Sequence, residues 1–299
     1  MNLSVPHSSY NVPSSLRNFK EITKFRLSIS VLFSSVAGYL LGADNIDFFV
    51  LFLLCVGGYA MVGASNVFNQ IVERDLDALM DRTKNRPLPA GRICVRSAFV
   101  LGVFLTIVGI GVLYAINPIT AMFGAISIFM YVSLYTPLKT KTPLSVFVGA
   151  FPGAIPFMLG WVAATGSFGI EPGTLFMIQF FWQFPHFWAI GWFLFDDYKK
   201  GGFFMLPNGK RDKGTAMQVF LYCIWTVLVS LIPVLGITGK LYLTPYSGVL
   251  VGILGIGLLY YAGRLYREKT SKAAKQLMLA SVSYITLLQI IYVVDKFIR

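Results

Sequence analysis

The stretch Asn69–Pro87, NQIVERDLDALMDRTKNRP, places four acids and four bases directly behind a very apolar segment. The whole chain has only 13 acids, so nearly a third of them fall within this stretch. Oxygen-bearing side chains recur at every fourth position, as Asn69, Glu73, Asp77 and Asp81. On a continuous helix they would share one face, where like charges repel unless a cation offsets them. Such ligands suit Mg²⁺, which completes its shell with substrate phosphates. The stretch therefore predicts metal-dependent binding of a diphosphate at a membrane surface.

The composition around this stretch is that of a polytopic membrane protein. The chain is 56% hydrophobic and only 13% charged, whereas soluble domains carry about 25% charged residues. Its 299 residues can hold about eight to ten spans. Cytoplasmic loops explain the net charge of +12 more simply than nucleic acid does, so no nucleic-acid partner is expected. Three isolated cysteines without a CxxC motif predict neither a disulfide framework nor a zinc site.

Nine apolar segments predict an all-α fold with nine transmembrane helices. Residues 1–20 are polar and predict a loosely ordered cytoplasmic tail without a cleaved signal peptide. Residues 21–299 are expected to form a single transmembrane domain. The predicted spans are 27–43, 48–68, 95–115, 118–136, 144–164, 173–195, 216–238, 243–263 and 278–295.

The bases are sorted to one side of these spans. Of 25 lysines and arginines, 22 fall in the N-terminal tail and in alternate loops, which leaves Lys240, Lys296 and Arg299 on the other side. The positive-inside rule makes the rich side cytoplasmic. We therefore expect an integral protein of a bacterial inner membrane. Its N-terminus and acidic stretch would be cytoplasmic, and its C-terminus would be outside.

A second polar cluster ends the sixth apolar segment, at Asp196 and Asp197. Alone, such charges are typical of a solvated helix end. Together with the first acidic stretch on the same predicted side, they indicate a shared site. His186 lies ten residues earlier, about 15 Å deeper along a helix. An ionisable side chain at that depth is a functional candidate. Three roles stay open: a core histidine bonded to a backbone carbonyl, a ligand of a haem iron, or an acid or base near neutrality.

Two smaller signals are each open to two interpretations. Tyr135 and Lys139 are four residues apart at the inner end of the fourth segment, in YTPLKTK. Lys139 could be a membrane anchor with its charged head at the surface, or it could bind phosphate. Lys24 and Arg26, at the start of the first segment, carry the same two alternatives.

The motifs together resemble the UbiA superfamily of intramembrane prenyltransferases. The likeness rests on the nine spans, the pattern N-x-x-x-E-x-x-x-D from Asn69 to Asp77, R-T-x-x-R-P from Arg82 to Pro87, and Y-x-x-x-K from Tyr135 to Lys139. It covers residues 20–295. The segments WQFPHFW and DDYKKGGFFMLP are similar to the haem-prenylating branch. Two departures stand out: adjacent Asp196 and Asp197 replace the D-x-x-x-D of many members, and Glu73 replaces a commoner Asp.

The resemblance implies a ring of nine helices around a central cavity, with Mg²⁺ binding a prenyl diphosphate. Haem B would be the substrate that accepts the farnesyl group of farnesyl diphosphate, and haem A synthase is a candidate partner. A prenyltransferase for a quinone precursor, and a transporter with Glu73, Asp77 and His186 as a relay, are the alternatives. The implied site residues are catalytic Asn69, Glu73, Asp77, Tyr135 and Lys139; diphosphate-binding Lys24, Arg26, Arg82, Arg86, Lys139 and Lys141; haem-binding His186 and Trp188; and metal-binding Asn69, Glu73, Asp77, Asp81, Asp196 and Asp197.

Overall fold

Helices make up the regular structure of the chain. A computed structural model describes residues 15–299, and within this range there are helices but no β-strand, which confirms the all-α prediction. The helices are α1 (Ser15–Ile22), α2 (Phe25–Gly42), α3 (Phe48–Val72), α4 (Arg74–Asp77), α5 (Val95–Ile116), α6 (Pro118–Phe129), a π-helical segment (Met130–Tyr135), α7 (Thr136–Leu138), α8 (Ser145–Thr165), α9 (Ile170–Phe193), α10 (Phe195–Lys200), α11 (Lys213–Leu231) with a 3₁₀ turn (Ile232–Leu235), α12 (Pro245–Glu268) and α13 (Ser271–Ile298).

Nine helical stretches between residues 15 and 299 have 18 residues or more. Eight of them are apolar enough to cross a membrane, so the chain is an integral membrane protein. The ninth is α9, whose 24 residues include Gln179, Gln183 and His186. This helix is long enough to cross a membrane, but its polar side chains lower its mean hydropathy. The predicted spans agree with these helices to within a few residues, except that the last helix begins at Ser271 rather than at 278.

The predicted tail is only partly described. Residues 1–14 lie outside the described part of the chain, but Ser15–Ile22 form α1, so the expectation of a loose tail is wrong for residues 15–20. Ile22 is fully buried. Arg92 donates hydrogen bonds to Asn18, at 2.8 Å, and to Glu21. These contacts hold α1 against the turns that follow the acidic stretch, a pairing that no local sequence pattern indicates.

The long helices form a closed ring. Each long helix packs against the next one along the chain, and α13 returns to α2. Further contacts of α2 with α8 and of α9 with α13 cross the ring. The inner face of α9 is thereby enclosed by α8 and α13, and the acidic stretch lies at one end of the bundle.

The contact between α2 and α8 depends on two glycines. A Cβ on Gly38 would lie 2.0 Å from the carbonyl oxygen of Phe157, and one on Gly160 would lie 1.9 Å from that of Ser35. Both distances are far shorter than a van der Waals contact. Small residues let membrane helices pack backbone against backbone, and here they bring α2 and α8 together.

Candidate active site

The acidic stretch does not form one continuous helix. Helix α3 ends at Val72, and α4 ends at Asp77. Backbone bonds from Glu73 N to Asn69 O (2.9 Å) and from Asp77 N to Glu73 O (2.7 Å) still preserve the four-residue step. The predicted stack therefore holds for Asn69, Glu73 and Asp77. It is wrong for Asp81, because turns replace the helix after Asp77.

Asp77 is the most enclosed acid of the stretch. Its side chain is fully buried, and its Oδ2 accepts a 2.6 Å hydrogen bond from Arg86. Thr83 Oγ1 donates to the Asp77 backbone carbonyl at 2.8 Å, which folds the turn back over α4. Asp77 Oδ1 is buried and has no hydrogen-bond partner among the described residues. Because an unpaired buried carboxylate oxygen is costly, this atom indicates a ligand position.

Glu73 pairs with Lys139 from the other side of the site. Their side chains are both nearly buried, and Lys139 Nζ lies 2.7 Å from Glu73 Oε1. The ammonium also lies 4.4 Å from the ring centre of Tyr135 and 5.7 Å from that of Phe203. Burial alone would lower the pKa of Lys139, but the Glu73 carboxylate together with Tyr131 and Tyr198 outweighs it, so the net pKa is raised. Lys139 is therefore a cation at physiological pH.

Lys24 is the third base of the group. It stands between α1 and α2 with φ 47° and ψ 55°, a left-handed conformation that is uncommon for a lysine. Its Nζ lies 3.5 Å from Asn69 Oδ1. Burial lowers the pKa of Lys24 to about 7, and the nearby positive charges of Arg86 and Lys139 act in the same direction. An anion bound here would favour the charged form of Lys24.

A π-helical segment supplies the aromatic side of the site. Tyr131 and Tyr135, four residues apart within it, have ring centres 5.1 Å apart. Thr136 Oγ1 accepts a hydrogen bond from Asn69 Nδ2 at 3.2 Å and donates to the Tyr131 carbonyl at 2.8 Å. The wider turn thus joins the fourth span to Asn69. Isolated π-helical turns are frequent at functional sites.

The residues fit a hard cation. Asn69, Glu73 and Asp77 offer only oxygen atoms as ligands, and Asp77 Oδ1 is an unpaired oxygen among them. No group of three or more His, Cys, Asp or Glu side chains between residues 15 and 299 could hold a metal ion alone. Coordination here would therefore include Asn69 and ligands from outside the protein, as Mg²⁺ usually requires.

Three acids that were predicted as metal ligands lie elsewhere. Asp81 is exposed and pairs with Lys84, at 2.8 Å, and with Lys200. These two lysines lower the pKa of Asp81 to about 2. Asp197 accepts hydrogen bonds from backbone N–H groups, and Asp196 pairs with Arg211 at 3.0 Å. Each of these acids has a partner other than Glu73 and Asp77: two lysines for Asp81, Arg211 for Asp196, and the backbone N–H groups of the turn after α4 for Asp197.

Of the bases predicted to bind phosphate, some lie at the site and others lie at the exposed surface. Lys24, Arg86 and Lys139 meet at the site described above. Arg82 is exposed beside it, with its guanidinium 5.6 Å from the ring centre of Tyr198. Arg26 is exposed on the first turn of α2, and Lys141 is exposed in the turn after α7.

His186 lies deeper in the bundle and packs against α13. Its Nδ1 is 2.8 Å from Ser281 Oγ, and its ring stacks on Trp182 with centres 4.7 Å apart. Trp188 faces the opposite way, with its ring centre 4.9 Å from that of Tyr222 on α11. The structure therefore does not pair Trp188 with His186. Side chains two positions apart on a helix point in nearly opposite directions. The spacing of His186 and Trp188 in the sequence therefore already argued against a shared binding role.

Several site residues were not identified from the sequence. Tyr131 could have been found, because it precedes Tyr135 by four residues. Thr83 belongs to the R-T-x-x-R-P pattern but was not singled out, and its contact with Asp77 is local. Thr136, Phe203 and Ser281 carry no signal of their own, since each makes its contact with residues far away in the chain.

The family follows from comparison with known proteins. Residues 31–285 match the UbiA prenyltransferase family, and the chain belongs to this family of membrane prenyltransferases. It is 76% identical over 286 residues to the protoheme IX farnesyltransferase of Christiangramia forsetii, covering 96% of this chain and 95% of the relative. It is 65% identical over 291 residues to that of Flavobacterium psychrophilum, covering 96% of this chain and 97% of the relative. The predicted family and enzyme class are confirmed, and the transporter alternative is set aside.

Solved structures support the fold. A digeranylgeranylglyceryl phosphate synthase superposes with a TM-score of 0.77 at 20% identity, covering 94% of this chain and 98% of the other. A UbiA homologue from Archaeoglobus fulgidus, bound to GPP and Mg²⁺, has a TM-score of 0.64 at 14% identity, covering 92% of this chain and 99% of the other.

Proposed function

We propose that this protein converts haem B to haem O by transferring the farnesyl group of farnesyl diphosphate to a haem vinyl group. The observation that carries the proposal is the buried group in which Lys24, Arg86 and Lys139 surround Glu73 and Asp77. High identity to protoheme IX farnesyltransferases supports the choice of both substrates.

The three bases bind the diphosphate. Arg86 pairs with the Asp77 carboxylate and Lys139 with that of Glu73. Phosphate oxygens would take over these hydrogen bonds and would add a partner for Lys24. Arg82, at the exposed edge, would contact the outer phosphate. Arg26 and Lys141 are exposed and are not part of the proposed binding site.

Asn69, Glu73 and Asp77 hold Mg²⁺, which supplies Lewis-acid stabilisation of the charge that develops on the leaving diphosphate. Asp77 Oδ1 would gain the partner that it lacks. Asp81, Asp196 and Asp197 are not part of this proposal, because each already has a partner at the surface.

The transfer proceeds by loss of diphosphate from the farnesyl carbon. The bond from this carbon to oxygen breaks, and the vinyl group of the haem attacks the allylic cation to form a carbon–carbon bond. Water adds to the remaining vinyl carbon and releases a proton. The ring face of Tyr135 contacts the Lys139 ammonium at 4.4 Å, so Tyr135 would position Lys139 beside the leaving diphosphate.

The haem would bind deeper in the bundle, at His186, whose imidazole ring stacks on Trp182. Trp188 contributes packing between α9 and α11 instead. In the cell we place residues 21–299 in a bacterial inner membrane as one transmembrane domain. The active site and N-terminus would be cytoplasmic and the C-terminus outside. Haem A synthase is a candidate to consume the product.

Turnover with purified protein tests this function. Farnesyl diphosphate, haem B and Mg²⁺ should yield pyrophosphate in equal amount to a farnesylated hydroxyethyl haem, identified by mass spectrometry. Omitting haem B should stop pyrophosphate release. A chain that leaves haem B unmodified but prenylates an added quinone precursor would favour the alternative acceptor.

A further inference from the structure

Ser281 contacts two aromatic residues of α9 through two different atoms. Its backbone carbonyl accepts a 2.6 Å hydrogen bond from Trp182 Nε1, and its hydroxyl oxygen lies 2.8 Å from His186 Nδ1. The Trp182 and His186 rings stack with 19° between their planes. Ser281 is fully buried. One residue of α13 therefore holds both rings in place.

The hydrogens of this cluster can be assigned by counting donors. The Ser281 hydroxyl oxygen also lies 2.7 Å from the carbonyl oxygen of Met278, which can only accept. The single hydroxyl hydrogen therefore goes to Met278, and Ser281 accepts from His186 Nδ1–H. The reverse arrangement would leave two oxygens at 2.7 Å without a hydrogen between them. A neutral imidazole with hydrogen on Nδ1 carries its lone pair on Nε2.

The Nε2 atom of His186 is available to bind a ligand. His186 makes no other hydrogen bond with the described residues, and it is half-buried. It follows Gln179 and Gln183 on one face of α9. Gln179 bonds to Gln289 of α13 at 3.2 Å, and Gln183 bonds to the Ala150 carbonyl of α8 at 2.8 Å. This face of α9 is thus the one that the neighbouring helices enclose.

We propose that Ser281 is a positioning residue, which holds His186 in the Nδ1–H tautomer so that Nε2 can bind the iron of the haem substrate. The inference rests on the proposed function, because haem B supplies the iron. Histidines that bind metals usually donate their other N–H to a second group, and this bond sets the ring's orientation and basicity. Here that group is a serine hydroxyl, and Trp182 limits rotation by stacking on one face of the ring.

Nitrogen NMR tests the tautomer without haem. The chain has two histidines, His7 and His186, so ¹⁵N-histidine labelling of a His7→Gln variant leaves one imidazole to observe. We expect the protonated nitrogen to be Nδ1, and Ser281→Ala to shift the signals towards a mixture of tautomers. Hydrogen on Nε2 in the unsubstituted site would overturn the inference.

Haem binding tests the consequence. Titration with ferric haem B should give about tenfold weaker binding to Ser281→Ala, with a changed absorbance spectrum. Ser281→Thr keeps a hydroxyl and should restore both. The affinity for farnesyl diphosphate should be unchanged in these variants, whereas a purely structural effect would weaken the binding of both substrates.

Ser230 provides a matched control. It is fully buried, its hydroxyl donates to the Thr226 carbonyl at 2.7 Å, and its own carbonyl accepts from Tyr292. His186, the histidine of the described range 15–299, makes its hydrogen bond with Ser281 instead. Ser230→Ala should therefore leave the haem spectrum and affinity unchanged, although it removes a hydroxyl with similar surroundings.

His186→Ala separates this inference from the proposed function. If that variant changes the haem spectrum and Ser281→Ala does not, the role of Ser281 is refuted. If His186→Ala leaves the spectrum unchanged but still farnesylates haem B, the inference fails and the function stands. If haem binds through His186 with the expected Ser281 dependence but no product forms, the inference is supported and the function fails.

Discussion

The carboxylate of Asp197 accepts a 2.8 Å hydrogen bond from the backbone N–H of Asp81, and it lies 3.4 Å from the backbone nitrogen of Arg82. This contact joins α10 to the turn that follows α4. Lys200 pairs with Asp81 across the same boundary. The second acidic cluster therefore supports the loop that carries Arg82 and Arg86. Within this cluster Asp197 accepts hydrogen bonds from backbone groups, whereas Asp196 pairs with Arg211.

Replacing Asp197 distinguishes loop support from metal binding. Asp197→Asn keeps one acceptor oxygen and should have a small effect. Asp197→Ala removes it and should cost about 1 kcal/mol of stability, with a higher KM for farnesyl diphosphate. The Mg²⁺ concentration for half-maximal rate should stay the same in both variants. Asp196→Ala is the control, because its exposed pair with Arg211 contributes little. A strong rise in the Mg²⁺ requirement of Asp197→Asn would return Asp197 to the metal site.

Removing the charge of Asp77 from its buried pair with Arg86 should lower both stability and turnover. Asp77→Asn preserves shape but leaves Arg86 without its carboxylate, which should cost about 3 kcal/mol. Turnover should fall by about 100-fold or more, since in the proposed mechanism Asp77 would help to hold the Mg²⁺ that offsets the charge on the leaving diphosphate. The rate of pyrophosphate release and the thermal midpoint in detergent measure the two effects.

The double variant Asp77→Asn with Arg86→Gln separates these effects. It removes both charges, so thermal stability should partly return. Activity should stay lost, because neither the metal ligand nor the phosphate base is restored. Recovery of activity in the double variant would mean that Asp77 serves only to neutralise Arg86. Glu268→Gln, in the surface pair with Arg264, should leave the rate unchanged.

The site was predictable where residues are close in the chain. The four-residue step from Asn69 to Asp77 appears in the sequence because helical hydrogen bonds set it. Asp81 was misplaced because the same spacing continues after the helix has ended. The partners of Asp197 and His186 were not predictable, since Asp81 and Ser281 lie about a hundred residues away and are chosen by packing between helices. The nine spans were predictable, since each one is a local run of apolar residues.

The close approach of α2 and α8 predicts unequal effects for two glycine substitutions. Gly160→Ala would place a Cβ 1.9 Å from the Ser35 carbonyl oxygen, so the helices would have to separate. We expect a clear loss of folded protein and of thermal stability. Gly111→Ala is the control, because nothing beyond its own stretch of helix lies within 4 Å of its Cβ position. Alanine there should be neutral or more stable by up to about 1 kcal/mol. Equal stability of the two variants would contradict the close packing.

The distribution of bases predicts which end of the bundle faces the cytoplasm. Cys94 is an exposed native reporter at the end of the acidic region, and its hydrogen bond with Ser97 lowers the pKa of its thiol. Because a thiolate is the reactive form, Cys94 should react readily with a maleimide that cannot cross membranes. We expect this labelling only after the cells are opened.

Ser167 offers the matched reporter for the opposite end. It is exposed in the turn between α8 and α9. In a Cys94→Ser background, Ser167→Cys should be labelled in intact cells, since few bases lie on that side. Cys55 and Cys223 remain in both proteins as internal controls and are less exposed. Labelling of Cys94 in intact cells, with Ser167→Cys protected, would reverse the orientation and place the diphosphate site outside.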